Sequence, residues 1–189
     1  VGIDFGSSNV GGNLAVTATT GNITQDGGAL TVAGTGAFTT SADDATITLS
    51  NTGNALSGAL SVTTNGTAGN VVIDNGTTAL DFAASTIDGT LTATSGHASG
   101  ITDSGALVVN GDVTLTTDAN NGVINLGTLQ QSTGDLVVTT NGTGDATVVN
   151  NVGIDFGSSN VGGNLAVTAT TGDISDSGTL TVSGASVFT

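Results

Sequence analysis

Residues 12–21 read GNLAVTATTG, an alternation of apolar and small polar side chains that runs from one glycine to another. Leu14 and Val16 point one way while Ala15 and Thr17 point the other, the period of a short strand with one buried face. A strand this short cannot bury that face alone, so it needs neighbours of the same kind.

The neighbours are present. The pattern Gly-x-Leu-x-Val, or a close variant, returns as GALTV (Gly28–Val32), GALSV (Gly58–Val62), GTLTA (Gly89–Ala93), GALVV (Gly105–Val109), GDLVV (Gly134–Val138), GNLAV (Gly163–Val167) and GTLTV (Gly178–Val182). Successive starts lie one or two beats of about 15 residues apart, and relatives such as ATITL (Ala45–Leu49) and GVINL (Gly122–Leu126) fall in the skipped beats. A slower period lies above this one. Ile3-Asp4-Phe5, Leu80-Asp81-Phe82 and Ile154-Asp155-Phe156 mark units of about 75 residues, and the segment Val1–Gly21 recurs without change as Val152–Gly172.

Nested periods, period-two alternation and no 3.6-residue pattern predict an all-β fold, a parallel β-helix or β-solenoid in which leucine stacks on leucine and valine on valine. Propeller blades run to about 40–45 residues and carry aromatic signatures, which are missing here. The unit divides into coils of about 15, 19 or 25 residues, so eight to twelve rungs would form a rod on the order of 40–60 Å long. Residues 1–189 read as one continuous solenoid segment with no internal domain boundary. Because the chain begins inside a repeated phrase, it reads as excised from a longer repetitive protein.

Composition agrees and narrows the function. Cys, Met, Trp, Tyr and Pro are absent, and the core must be made of Val, Leu, Ile and Ala, which suits a narrow interior. The 31 Gly, with many Thr, Asn and Ser, supply corners between strands. There is no Lys or Arg against 15 acidic residues, all Asp, for a formal charge of −15. Such a chain has no means of gripping phosphate, so nucleic acid and anionic membrane surfaces are poor partners, and because no run approaches the roughly 18 apolar residues of a span, no membrane insertion is expected.

The stretch GNLAVTATTGNITQDGGALTVAGTGAFTT, with ATITLSNTGNALSGALSVTTNG after it, resembles the β-strand repeats of filamentous-haemagglutinin-like proteins, the large secreted adhesins of bacteria. The resemblance covers the whole chain. It implies a right-handed β-helical fibre, export across an outer membrane, an extracellular or cell-surface location, and service as a stalk or adhesive shaft.

Some solenoids are enzymes, but the residues here speak against it. Polyuronate lyases need a basic residue, and glycoside hydrolysis needs two placed carboxylates, with the sugar usually stacked on aromatics. Most Asp residues sit in turn phrases such as Asp26-Gly27, Asp74-Asn75-Gly76, Asp88-Gly89, Asp103-Ser104-Gly105 and Asp176-Ser177-Gly178, where the expected role is closing Asx turns. His97, the only histidine, lies in a Gly/Ser loop and has no second imidazole or thiol to join it in holding a metal. No cofactor and no specific metal site is expected. Carboxylates on stacked turns could attract calcium only weakly and non-specifically, since neither solenoid nor EF-hand calcium motifs occur.

Strand alternation turns two hydroxyls outward in each of five Thr-x-Thr pairs: Thr17 and Thr19, Thr46 and Thr48, Thr92 and Thr94, Thr114 and Thr116, and Thr168 and Thr170. Ranked in rows, these would form a surface-binding face such as an ice-binding one; threonine's own preference for strands is the plainer reason for them. Asn-x-Thr at Asn22, Asn65, Asn75 and Asn141 reads as a sugar-acceptor pattern and equally as a turn signal. The expected function is therefore structural: a repeat segment of a giant extracellular fibre presenting a Thr/Asn/Asp surface. The alternatives are an ice-binding or calcium-dependent adhesive module and, behind them, a polysaccharide-degrading enzyme. The expected partners are adjoining repeats and further copies joined end to end, with any cell-surface or carbohydrate ligand unidentified.

Overall fold

The computed structural model describes all 189 residues and is a β-solenoid of 25 short strands without a helix. Every strand pair is parallel, and the longest path through the pairings crosses nine strands, one per rung. The first wall shows why the chain folds this way. Ile3 pairs with Ile23, then Ile47, Val71, Leu91, Val113 and Leu136, an unbroken aliphatic column that climbs through seven rungs. Each member removes its neighbour from water, contributing about 1.5–3 kcal/mol per fully buried side chain. Together the inward residues form one cluster of 35 buried side chains that runs the length of the stack.

The same pairings measure the coil. Steps of 20, 24, 24, 20, 22 and 23 residues separate those partners, so a rung is about 22 residues rather than 15, 19 or 25. The 15-residue beat is two-thirds of a turn. Where a coil has three sides, the phrase at Leu14–Ala18 occupies the last wall of rung one, and the next, at Leu30–Val32, the middle wall of rung two.

Rungs one to three have three walls, with Ser8–Val10, Leu30–Val32 and Ala55–Leu56 in the middle one. Above Leu60–Asn65 the last wall splits: Leu60 pairs with Phe82 and Thr63 with Thr86, on two strands separated by a bend. Rungs six and seven are flattened to two walls, Val113–Asn120 with Ile124–Gln131, then Leu136–Asn141 with Ala146–Asn150. The first wall splits next, where Leu136 pairs with Phe156 and Thr139 with Asn160. Rungs eight and nine are three-sided again.

This migration gives the long period a geometric meaning. Ile3 lies in the first wall at rung one, Leu80 in the other long wall at rung four, and Ile154 back in the first wall at rung eight. One unit is three and a half turns. Two units, the 151 positions between Val1 and Val152, are seven full turns, and the identical segments therefore occupy the same walls.

Candidate functional surface

The coils are joined at their corners by side chains as well as by backbone. At nine corners an Asn or Asp oxygen accepts a hydrogen bond from a backbone N–H of the following coil. Asn13 accepts from Thr35 at 2.9 Å, Asn22 from Thr46 at 3.0 Å, Asn70 from Thr90 at 2.9 Å, Asn121 from Thr143 at 2.9 Å and Asn164 from Ala185 at 2.9 Å. Asp44, Asp112 and Asp145 do the same for Ala68, Asp135 and Asn164. Bends break the backbone ladder, and these short side chains satisfy donors that it leaves free. The expected local Asx turn forms at Asp74, which accepts from Gly76 N–H at 2.8 Å. Asp103 departs from it: its carboxylate reaches one coil up to the N–H groups of Gly127 and Thr128 and the Thr128 hydroxyl, at 2.7, 2.8 and 2.9 Å. Parallel stacking sets the next corner directly above, so the nearest unpaired donor belongs to the following coil.

A second set of ties faces inward. In Thr39-Thr40, Thr63-Thr64, Thr116-Thr117 and Thr139-Thr140 the first threonine faces outward and the second is buried. Thr40 donates to Ala45 O at 3.1 Å and Thr117 to Gly122 O at 2.9 Å; Thr64 and Thr140 bond Gly69 and Gly144 likewise. Each hydroxyl closes the corner that follows it.

The ten threonines singled out by alternation all avoid the core, but they do not make one face. Thr92 lies beside Thr114 and Thr94 beside Thr116. Val72 separates Thr48 from Thr92, and Thr46 precedes its strand. Thr17 and Thr168 belong to the other long wall, where Thr168 pairs with Val149, while Thr19 and Thr170 sit past their strand ends. A longer ladder, Thr17–Thr39–Thr63–Thr86, climbs four rungs on that wall and was not visible as Thr-x-Thr. Finding it requires the coil length. It is a single column flanked by Ala37 and Ser61, so no two full columns stand side by side.

Asp4, Asp81 and Asp155 are in strands, facing out, and accept hydroxyl bonds from Thr24, Thr102 and Ser175 at 2.8, 3.2 and 3.0 Å. Asp135, Asp155 and Asp173 line a shallow hollow of about 330 Å³ together with Ser132, Thr133 and Ser175. No three acidic or imidazole side chains converge as a metal-ligand set anywhere on the chain. His97 accepts from Ser99 N–H at 3.0 Å within its own loop. Phe38, Phe82 and Phe156 are fully buried, so the hollow has no aromatic platform. Of the four Asn-x-Thr asparagines, Asn75 is fully enclosed and cannot accept a sugar, whereas Asn141 is exposed.

A family model described as repeats of unknown function (DUF5649) matches residues 1–63, 68–140 and 143–189. The chain belongs to the DUF5649 repeat family. The middle DUF5649 match runs from the corner before Val71 to Thr140, one half-integer unit of the stack, and the next begins one corner later. No curated protein and no solved structure matches the chain.

Phe156, Ile174, Leu180 and Phe188 border a groove that Ser175 and Asp176 also line, and Phe188 is 48% exposed. Ile3, Phe5, Val10 and Leu14 are partly buried and pack against the core.

Proposed function

We propose that this chain is a load-bearing shaft segment of an extracellular fibrous protein, of the kind its resemblance to secreted adhesins implies. The observation that carries the reading is the return of the same residues to the same place around the coil after seven turns, which lets pairs of units be added with the same succession of cross-sections. Support comes also from the corners, where Asn and Asp are committed to joining coils, leaving an outer surface of hydroxyls and carboxylates with no basic residue. The surface charge keeps neighbouring shafts soluble and apart, and salt shortens the range of that repulsion. Lack of Lys and Arg also denies trypsin-like proteases a cleavage site, which suits an extracellular setting.

The test is a lengthened chain in which residues 1–151 precede the full sequence, a junction that is native because Val1–Gly21 and Val152–Gly172 are identical. Small-angle X-ray scattering should show a rod longer by about 34 Å at an interstrand spacing of about 4.8 Å, with the same cross-section. A growth in all dimensions would rule the shaft out.

A further inference from the structure

Asparagine followed by glycine occurs five times, at Asn65, Asn75, Asn110, Asn121 and Asn141. The dipeptide carries its own reaction, because the glycine nitrogen can attack the asparagine Cγ with no side chain on the glycine to obstruct it. The structure treats the five unequally. Asn75 is fully buried, with its oxygen on Leu56 N–H and its amide hydrogens on Leu56 O and Ala79 O, and Gly76 N–H is held by Asp74. Asn121 is exposed, but its φ of +64° is left-handed, a conformation that turns the next nitrogen to the far side of its own Cβ, and Gly122 N–H donates to Ala119 O at 3.1 Å. Asn110 is exposed and held at both ends of its amide, by the Asp88 carboxylate and the Ser132 hydroxyl. Asn65 is half-buried and donates to Thr40 O. Asn141 is exposed at the end of the strand Leu136–Asn141, and its amide makes one tie, to Asp118 O at 3.0 Å. Gly142 is exposed as well, and its N–H has no hydrogen-bond partner.

We propose that Asn141 is a site of spontaneous self-modification, in which Gly142 N closes on Asn141 Cγ to form a succinimide and water opens the ring to aspartate or isoaspartate. The bond from Gly142 N to Cγ forms as the Cγ–Nδ2 bond breaks; Nδ2 leaves as ammonia, carrying off the glycine amide proton. Water then adds across one of the two imide C–N bonds, and no co-reactant other than water is consumed. Closure swings the Asn141 carbonyl away from the N–H groups of Asn121 and Gly144, from which it accepts at 3.0 and 3.1 Å. The corner must open first, so the folded chain converts more slowly than the unfolded one. In either product the donor to Asp118 O is gone and one negative charge is added to the −15. Isoaspartate also lengthens the main chain by one atom, next to the tie from Thr143 N–H to Asn121. An outward corner that joins rungs six and seven thus loosens with age, while the buried Asn75 that closes the middle wall is spared.

Cleavage before aspartate places each of the five asparagines in its own peptide, residues 44–73, 74–80, 103–111, 118–134 and 135–144. The full chain is aged in mildly alkaline buffer made with oxygen-18 water, which marks each conversion, both folded and in denaturing urea. Mass spectrometry follows the peptides over time, with fragments newly cut at a converted aspartate counted with their parent. In urea the five should convert at comparable rates, because the folded geometry that distinguishes them is gone. In the folded chain 135–144 should lead, with 118–134 and 74–80 slower by at least about tenfold, since those two react only through rarer local opening. Asn121 and Asn141 are both exposed, so their contrast separates backbone geometry from access to water. Asn141→Gln, whose longer side chain has to close a six-membered ring, should abolish the leading conversion and leave the other four peptides as they were; if that variant does not fold, the wild-type map decides alone. A folded 135–144 peptide that converts no faster than 118–134 or 74–80, or a leading conversion that persists in Asn141→Gln, would overturn the proposal. The shaft reading is tested separately, by the lengthened chain.

Discussion

The side chain of Asn75 pairs with the backbone of Leu56 as a strand residue would, accepting from Leu56 N–H at 2.8 Å and donating to Leu56 O at 3.1 Å. Its second amide hydrogen goes to Ala79 O at 2.8 Å. The middle wall ends at Leu56, and the amide closes it where no further strand follows. Asn150 does the same for Gln131, with Oδ1 on its N–H at 2.8 Å and Nδ2 on its carbonyl at 3.0 Å.

Replacing Asn75 by Ala leaves the buried N–H and C=O of Leu56 unpaired, at a cost of about 2–6 kcal/mol from one to three per orphaned group. Asn75→Asp is the sharper variant. A carboxylate there would face two carbonyl oxygens in a dry site, so its folded-state pKa is raised above the unfolded value of about 3.9. Folding then favours the protonated form. Stability should be highest below about pH 4, where the single carboxyl proton still leaves one of the two carbonyls unpaired at a cost of about 1–3 kcal/mol, and fall further as pH rises toward neutrality, to be measured by urea melts across that range.

Gly100 has φ +62°, and a Cβ on it would run into the backbone carbonyl of Val123 in the next rung. Gly100→Ala should therefore cost several kcal/mol, at least about 3, from strain and clash together. Gly12 has open space where its Cβ would lie, so Gly12→Ala should stay within about 0.5 kcal/mol of wild type. Paired thermal melts check the contrast.

Thr117→Val keeps the shape of the buried side chain but removes the donor to Gly122 O. The expected loss is about 1–3 kcal/mol, the cost of an unsatisfied buried carbonyl. Thr116→Val, one residue away and facing outward, should be close to neutral. Equal effects in denaturant melts would contradict the inward corner tie.

Phe156 and Phe5 hold the same place in identical segments, as Phe188 and Phe38 do in equivalent rungs, yet the stack covers them unequally. Phe156 is 0% exposed and Phe188 48%. Phe156→Ala should cost about 3–5 kcal/mol, whereas Phe188→Ala should cost less than about half of that in dilute monomer. Isothermal denaturation of both variants gives the comparison.

The alternation in Leu14–Ala18 and the exact return of Val1–Gly21 were sufficient to read parallel stacked strands, because period two and fixed repetition follow from backbone geometry. Coil length was not readable in the same way. The Gly-x-Leu-x-Val phrase visits different walls on successive appearances, so its spacing reports fractions of a turn. Asn75 was read as part of an Asp-Asn-Gly turn, which it is, but its amide's role depends on Leu56, 19 residues earlier and one coil below. The Thr17–Thr39–Thr63–Thr86 ladder was hidden for the same reason, since its members share a column only after the coils are wound.

Half-integer winding also makes parity matter along a shaft of such units. Removing a single unit from a long array would rotate everything beyond the deletion by half a revolution about the shaft axis, so that whatever had faced one side would face the other. Removing two would shorten the array and leave every remaining surface pointing where it did before.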